Sequence, residues 1–463
     1  MKNILALTTM SNTAALRESL DAVRHEYGAI AILKKIYFTD YEDPDISLAP
    51  LQTSLQWADI VLIDIRSDIR IARELPCEIA RLNGKTIVVL VGAHQQILAL
   101  TRMGSFSSAR MFKPGADREF NVHSYIKAKK FSELTKKAGK LLPFGVLKHM
   151  RNWILAQQYY QEGDAENLKN LLLFLLKEYG NINQIKKVPP PKPAPGCGLY
   201  LPGAGCCENL DEYKQQARFD ETKPTVGILF YSGMHFNDTR PVVDAINQCL
   251  QGKANTINVF SSVEHNLKAI RHYFTGIDLL LNLQYFRLHG GPYGGEPEPT
   301  YELLQQLDVP CMIGLRAFET ELSHWEQSAQ GLQPMETILG VVLPELDGLV
   351  EPLFIAGMKS HADELLGTVK DVEVLPERIE KLCKRLLNWL ALRRKPNREK
   401  RVALITYNYP PGEDGVGSAG YLDVMESLKL FLHELKQNGY AAIMPEGSFR
   451  EFFLSSGLVN SPQ

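Results

Sequence analysis

The 463-residue sequence contains no G-x-x-x-x-G-K-[ST] segment. Glycine-rich loops of that pattern cradle nucleotide phosphates on backbone N–H groups. The chain is therefore expected to bind no ATP through a P-loop, and ATP-driven chemistry needs a partner to supply the motor. No apolar stretch approaches the roughly 20 residues that cross a bilayer, so no membrane span is expected. Charge imbalance is lacking too: 51 Lys+Arg against 53 Asp+Glu leaves a formal net charge of −2. A field that weak gives no reason to expect nucleic acid as a partner. The seven cysteines are an odd and mostly scattered set, which suits a reducing cytoplasm better than a disulfide framework. Cys197, Cys206 and Cys207 are spaced C-x8-C-C, with no second C-x-x-C and no paired histidine nearby. That argues against zinc. No small-residue cleavage site follows Ile4-Leu5-Ala6-Leu7, so this run reads as a buried strand and not as a signal peptide. No Ser-His-Asp or Cys-His arrangement stands out, and no catalytic residue is assigned.

What remains is ordinary globular material, 45% hydrophobic and 22% charged, long enough for several domains. Residues 2–8, 59–63 and 86–91 are short β-branched apolar runs, with helical patterns at 14–20 and 69–82 between them. Strand alternating with helix predicts a parallel sheet covered on both faces. Domain 1–122 thus reads as a doubly wound α/β unit. Region 123–186 reads as helical, with Leu168, Leu171, Leu172 and Leu175 on one face. Its basic run, Lys127 to Arg151, is either a solvated helix face or a docking surface for an acidic partner. The proline cluster Val188–Gly196 marks a linker within 187–222. A central α/β domain follows over 223–397. Its expected strands are 225–231, 256–260, 277–281, 309–313 and 340–343, and a long helix spans 376–394. Residues 398–463 open a further α/β domain with a strand at 401–407 and a helix at 421–438. One and a half β–α repeats do not close a sheet, so this last domain reads as truncated. The fold class is multidomain α/β, with doubly wound parallel sheets joined by a helical region.

Three loops carry candidate site residues. His289, Gly290 and Gly291 begin a segment with four glycines in seven residues, after a buried strand. Such a loop admits a flat ligand close to the backbone, and a structural loop is the plain alternative. Glu345 and Asp347, with Glu351, form an acidic cluster able to bind a cation or accept protons; a turn is again the plain alternative. Gly415-Val416-Gly417-Ser418-Ala419-Gly420 is a literal G-x-G-x-x-G. Seven residues, Asn408 to Asp414, separate it from the strand, whereas a dinucleotide fingerprint starts directly after one. It reads as a ligand loop at the carboxyl end of a strand.

Several stretches, in order along the chain, resemble one family. They are Thr101-Arg102-Met103-Gly104-Ser105-Phe106, Leu141-Leu142-Pro143-Phe144 through Gly163 to Glu166-Asn167, Thr225–Tyr231, and Gly290-Gly291-Pro292. Trp325-x-x-Ser328-x-x-Gly331-Leu332 continues the set. Its most specific members are Pro344-Glu345-Leu346-Asp347-Gly348 with Glu351-Pro352, and the run from Lys400 through Asn408–Gly412 to Tyr421-Leu422. Together they resemble the N-terminal portion of the large, tetrapyrrole-handling (H-type) subunit of magnesium chelatase and cobaltochelatase. The resemblance implies a ligase that forms nitrogen–metal bonds within a multisubunit complex, in chlorophyll-type or cobalamin biosynthesis, in the cytoplasm. The large subunit would bind a porphyrin or corrin ring, with Mg2+ (favoured) or Co2+ as the substrate metal. An AAA+ ATPase subunit would use the ATP, beside a second accessory subunit, and this chain alone would be inactive. Members of the family are considerably longer, and a tyrosine-histidine-proline-aspartate often found near the linker stands here as Tyr200-Leu201-Pro202-Gly203. On this reading His289, Gly290, Gly291, Glu345, Asp347, Asn408, Gly415 and Gly417 contribute to the ring surface. The alternatives are a non-catalytic tetrapyrrole-binding or carrier protein and a nucleotide-dependent oxidoreductase or transferase built on Gly415-x-Gly417-x-x-Gly420.

Overall fold

Parallel strands buried on both faces open the chain, and their order places the first crevice. The computed structural model describes residues 1–8, 12–41, 43–66, 70–92, 95–112, 145–291, 295–407, 415, 417 and 419–456. Strands β1 (Lys2–Thr8), β2 (Ala31–Tyr37), β3 (Ile60–Ile65) and β4 (Thr86–Gly92) alternate with helices α1 (Thr13–Tyr27), α2 (Ala49–Trp57) and α3 (Arg70–Ala80). A hairpin of β5 (Arg102–Met103) and β6 (Phe106–Ser107) completes a sheet of order β2-β1-β3-β4-β5-β6. The chain leaves β1 to one side for β2 and crosses to the other for β3. That makes the β1/β3 gap a topological switch point, where doubly wound sheets open a crevice at the strands' carboxyl ends.

Helices α4 (Gly145–Glu162) and α5 (Ala165–Tyr179) pack on this sheet. The leucine stripe of α5 shares one core with Ile4, Leu16, Leu62 and Trp153. Trp153 Nε1 donates to Val89 O at 2.7 Å, and Asp164 caps α5 by accepting from Asn167 N at 2.8 Å. A cap of this kind is worth about 1 kcal/mol. Most of the basic run lies outside the described residues; Lys148 within α4 pairs with Glu178 at 2.8 Å. The proline segment is a fixed strap. Asn167 Nδ2 donates to Lys192 O at 2.8 Å, Lys192 N to Asn167 Oδ1 at 3.0 Å and Ala194 N to Glu162 Oε2 at 2.7 Å. Helix side chains thus take up backbone groups that an extended, proline-rich segment cannot pair within itself.

The second sheet holds eight strands, β7 (Cys197–Leu201), β8 (Gly205–Cys207), β9 (Thr225–Tyr231), β10 (Asn255–Ser261), β11 (Leu279–Asn282), β12 (Cys311–Glu321), β13 (Val350–Asp363) and β14 (Gly367–Val374). Its order is β14-β13-β12-β11-β9-β10-β7-β8, with a parallel core from β10 to β13 and antiparallel edges. Beginning at β9, it repeats the order of the first sheet, so β9/β11 is a second switch point. Helix α6 (Phe236–Leu250) follows β9, α7 (Asn266–Tyr273) follows β10, and α8 (Glu298–Leu307) precedes β12. Helix α9 (Pro376–Arg394) has the bounds the sequence predicts. The two sheets are separate, in a multidomain α/β architecture.

The long β13–β14 hairpin is the element the sequence hides. Its tip residues Leu366 and Val369 lie in the core of the first sheet. Lys35 N donates to Leu366 O at 3.0 Å, and Lys370 N donates to Tyr37 Oη at 2.9 Å. Arg17 bridges Asp363 at 2.6 Å and Asp371 at 3.1 Å. Both sheets belong to one compact unit, Met1–Lys384.

A second unit, Arg385–Gln463, contains α10 (Val424–Gln437) and α11 (Phe449–Ser455). Residues 401–407, expected as a strand, form none, and Ile405 is 95% exposed. A strand needs a neighbour to take its N–H and C=O groups, and none lies beside this stretch among the described residues. Gly340–Leu343 is a second correction. Ile338–Val342 forms a π-helical turn, and Leu343–Glu345 a helical one. Gly340 fits there because a Cβ would come 2.3 Å from Leu315 Cδ1.

Candidate functional site

The residues singled out in the sequence fall into three places. His289 follows β11; its Nδ1–H donates to Glu296 O at 3.2 Å. Gly290 and Gly291 have φ of 82° and 59°, and Gly291 bridges back to Arg287, so glycine answers a left-handed turn there. Asp347 has a fully buried side chain. Its Oδ1 accepts from Arg287 Nε at 2.8 Å and its Oδ2 from Leu288 N at 2.7 Å. Asp347 therefore joins the loop after β11 to the turn before β13, and both its oxygens are engaged within the protein. Glu345 lies on an exposed face of that turn. This acidic segment follows a helical turn and precedes β13, which corrects its placement after a strand. Asn408 lies outside the described residues. Gly415 and Gly417 belong to the second unit, where Gly417, with φ of 72°, donates its N–H to Tyr407 O at 3.2 Å. Among the described residues no group of three or more His, Cys, Asp or Glu is arranged to hold a metal ion.

The two switch points bring together a different set. At the β1/β3 point a small cavity is lined by Thr8, Asn12, Asp64 and Tyr160 over a leucine floor. Asp64, buried near the carboxyl end of β3, accepts from Arg66 Nε at 2.9 Å and from Arg66 Nη2 at 3.1 Å. Tyr160 Oη donates to Asp64 Oδ2 at 2.8 Å and accepts from Asn12 Nδ2 at 3.2 Å. Burial and the Asp64 charge hold the Tyr160 phenol well above its ordinary pKa. Lys35, buried on β2, donates to Asn12 Oδ1 at 2.9 Å and Thr13 Oγ1 at 3.2 Å. Burial pushes its ammonium down to about 7, against the pull of Asp238. Replacing Tyr160 by phenylalanine is expected to lower stability by about 1–3 kcal/mol, because two buried partners lose one bond each. Urea unfolding of the two proteins measures this; equal midpoints would refute the role.

Facing these groups is the β9/β11 point. Gln284 Nε2 ties the ends of β9 and β10 by donating to Phe230 O and Ser261 O, both at 2.9 Å. The turn Gly233–His235 then leads into α6, and a Cβ on Gly233 would lie 3.5 Å from Glu162 O of α4. His235 rests against the Tyr231 ring, centroids 5.6 Å apart. Burial, with Arg66 and Arg316 nearby, holds its imidazole neutral, well below the usual range. Asp238, in the first turn of α6, is pushed up to about 6 by burial, while Arg316 and Lys35 pull it back. The buried groups near the two switch points thus combine guanidinium charge with a lysine pushed down to about 7 and a carboxylic acid pushed up to about 6, close to where doubly wound folds bind ligands.

Residues 157–455 match the family described as CobN/Magnesium Chelatase, which is more than half of the chain. The chain belongs to the CobN/magnesium chelatase family. Among its relatives, the magnesium-chelatase H-type subunit of Rhodobacter capsulatus is 28% identical over 464 residues, covering 95% of this chain and 39% of the relative. Its counterpart in Chlorobaculum parvum is 28% identical over 406 residues, 80% of this chain and 30% of the relative. The aerobic cobaltochelatase CobN of a Sinorhizobium species is 26% identical over 318 residues, 65% and 24% respectively. The chain therefore spans well under half the length of these CobN/magnesium chelatase relatives. No described helix is long and apolar enough to cross a membrane.

Two stretches that carry the family resemblance hold the fold together. Arg102 donates to Leu82 O at 2.9 Å and to Ile79 O at 3.0 Å, satisfying carbonyls at the carboxyl end of α3 where cations are favoured. Asp347 pins two loops, as described above. Lys35, Tyr160, Asp238 and Arg316 were not foreseen. The available signal was a charged residue inside an apolar strand, Lys35 in Ala31–Tyr37 and Arg316 in Cys311–Glu321.

Proposed function

We propose that this chain is the ring-binding N-terminal part of a metal chelatase large subunit, which inserts Mg2+, or in the alternative Co2+, into a tetrapyrrole. Family membership along most of the chain carries this reading. Insertion removes two pyrrole protons and strips water from a hydrated cation, and carboxylates or a neutral histidine near the ring plane suit both tasks. Because the sequence lacks a P-loop, ATP would be hydrolysed by an AAA+ partner subunit, with a second accessory subunit completing the complex. His289 with Gly290 and Gly291, and Glu345, are proposed as contributors to the ring surface, with Asp347 as the internal support of the loop after β11. Asn408, Gly415 and Gly417 are proposed separately as a ligand loop of the second unit. The test is titration of the purified chain with protoporphyrin IX and with a metal-free corrin precursor, followed by ligand absorbance. Saturable binding of one ring, with no ATP hydrolysis by the chain alone, is expected. Absence of binding to both would overturn the reading, and preference for one ring would point to the metal.

A further inference from the structure

We propose that the buried polar cluster of Arg316, Tyr285 and Asp238 receives a carboxylate of the tetrapyrrole, anchored by the guanidinium of Arg316. This rests on the ring-binding reading above. Arg316, on β12, is 4% exposed, and its Nε has no hydrogen-bond partner among the described residues. A buried guanidinium stays charged at any physiological pH and is costly unless an acceptor takes its N–H bonds. Tyr285 Oη and Asp238 Oδ2 are buried and unpartnered in the same way, each residue 6% exposed, and both feel the Arg316 charge. Three orphaned polar atoms around one positive charge form a concentrated exception to the rule that buried polar groups are paired. Their location adds a second argument. Asp238 and Tyr285 follow β9 and β11, the strands of the second switch point, and Arg316 stands on the neighbouring β12. Asp238 itself is in the first turn of α6, which has no side-chain cap and whose dipole favours an anion. A carboxylate supplies acceptors for Arg316 and Tyr285 in a charge-assisted geometry.

Asp238 then faces the incoming group. The charges around it are Arg316 from β12, Lys35 from β2 and Asp371 from β14, with His235 one turn earlier. Two carboxylates side by side share a proton, so Asp238 holds its proton more tightly once the ligand is bound. Without ligand, burial pushes the Asp238 carboxyl up to about 6. Below that pH it is already protonated and affinity is flat; above it, binding must take up a proton and affinity falls as pH rises. Lys35, held down to about 7 by burial, loses charge over the same range and pushes the same way.

The experiment titrates the full chain with protoporphyrin IX and with its dimethyl ester, which keeps the ring and removes the charge. The free acid is expected to bind about tenfold or more tightly than the ester, the scale of one charge-assisted hydrogen bond. Arg316→Gln should bring the acid down to the ester's affinity and leave the ester unchanged, with circular dichroism and melting confirming the fold. Asp238→Asn should leave only the shallower pH dependence contributed by Lys35. Acid and ester binding equally, or Arg316→Gln weakening both alike, would mean that water satisfies these atoms and the ring sits elsewhere. Acetate should compete with the acid and not with the ester. Acetate that binds through Arg316 while the ring binds independently of it would reassign the site to a small carboxylate. Failure of both rings to bind removes the ring-binding reading, and this inference with it.

Discussion

Replacing Asp347 by alanine is expected to destabilise the protein by about 3–5 kcal/mol, the cost of leaving one member of a buried ion pair alone. The Asp347 side chain is fully buried and that of Arg287 is 15% exposed. Removing the carboxylate strands the guanidinium and the N–H of Leu288 together. Leu288 and Leu349, on either side of this link, belong to the same core as Leu229, Ile257 and Leu280, so slack here reaches the second sheet. Asp347→Asn keeps one acceptor for Leu288 and is expected to recover part of the loss. Glu345→Ala, two positions away on the exposed face, should change stability by no more than about 0.5 kcal/mol. Denaturant midpoints for the three variants decide the matter. Similar small losses for Asp347→Ala and Glu345→Ala would show that Asp347 is not the tie between the loops.

A loss of similar size, about 3–5 kcal/mol, is expected for Glu336→Ala. Glu336 is fully buried, and one carboxylate oxygen accepts the backbone N–H groups of Phe318 at 2.8 Å, Glu319 at 2.9 Å and Thr320 at 3.2 Å. The other accepts the Thr320 hydroxyl. These donors end β12, where the ladder to β13 becomes irregular, so no neighbouring strand takes them over. Each orphaned donor costs about 1–3 kcal/mol, and water entering the partly exposed end returns some of it. Glu336→Gln can turn its amide oxygen to the three N–H groups and its NH2 to the threonine oxygen, so a loss of only about 1–2 kcal/mol is expected. Thermal unfolding separates the outcomes: a glutamine variant as unstable as the alanine variant would mean that charge, and not acceptor geometry, holds the strand end.

The parallel strands were legible because both their faces are buried, and unbroken apolar runs such as Ile87–Val91 survive in the sequence. Strand β2 was hidden by Lys34 and Lys35, one facing outward and one packed over the Tyr37 ring at 4.6 Å. The β13–β14 hairpin was hidden because its outer half is charged. Asp363, Lys370 and Asp371 read as surface and instead meet Arg17 and Asp40 of the first domain. Val341-Val342 misled by composition, since a β-branched run between Gly340 and Pro344 suits a strand until the packing of Leu315 is known. Glycine loops and acidic clusters are what local spacing can point to, and of those residues Asp347 has both oxygens engaged within the protein. The buried charged groups come from strands and helices up to 336 positions apart, as with Lys35 and Asp371 around Asp238, and local spacing carries no trace of such a meeting.

The hairpin bears on how this polypeptide can be divided or exchanged. Severing the chain at its proline segment would leave one fragment without Leu366 and Val369 and the other displaying them to water, so neither piece would inherit a finished interior. Recombination that swapped the opening 190 or so residues for those of a distant cousin would have to match the hairpin tip as well. The opening domain and the strands that follow it are therefore expected to change together over evolutionary time, as one heritable unit despite containing two sheets.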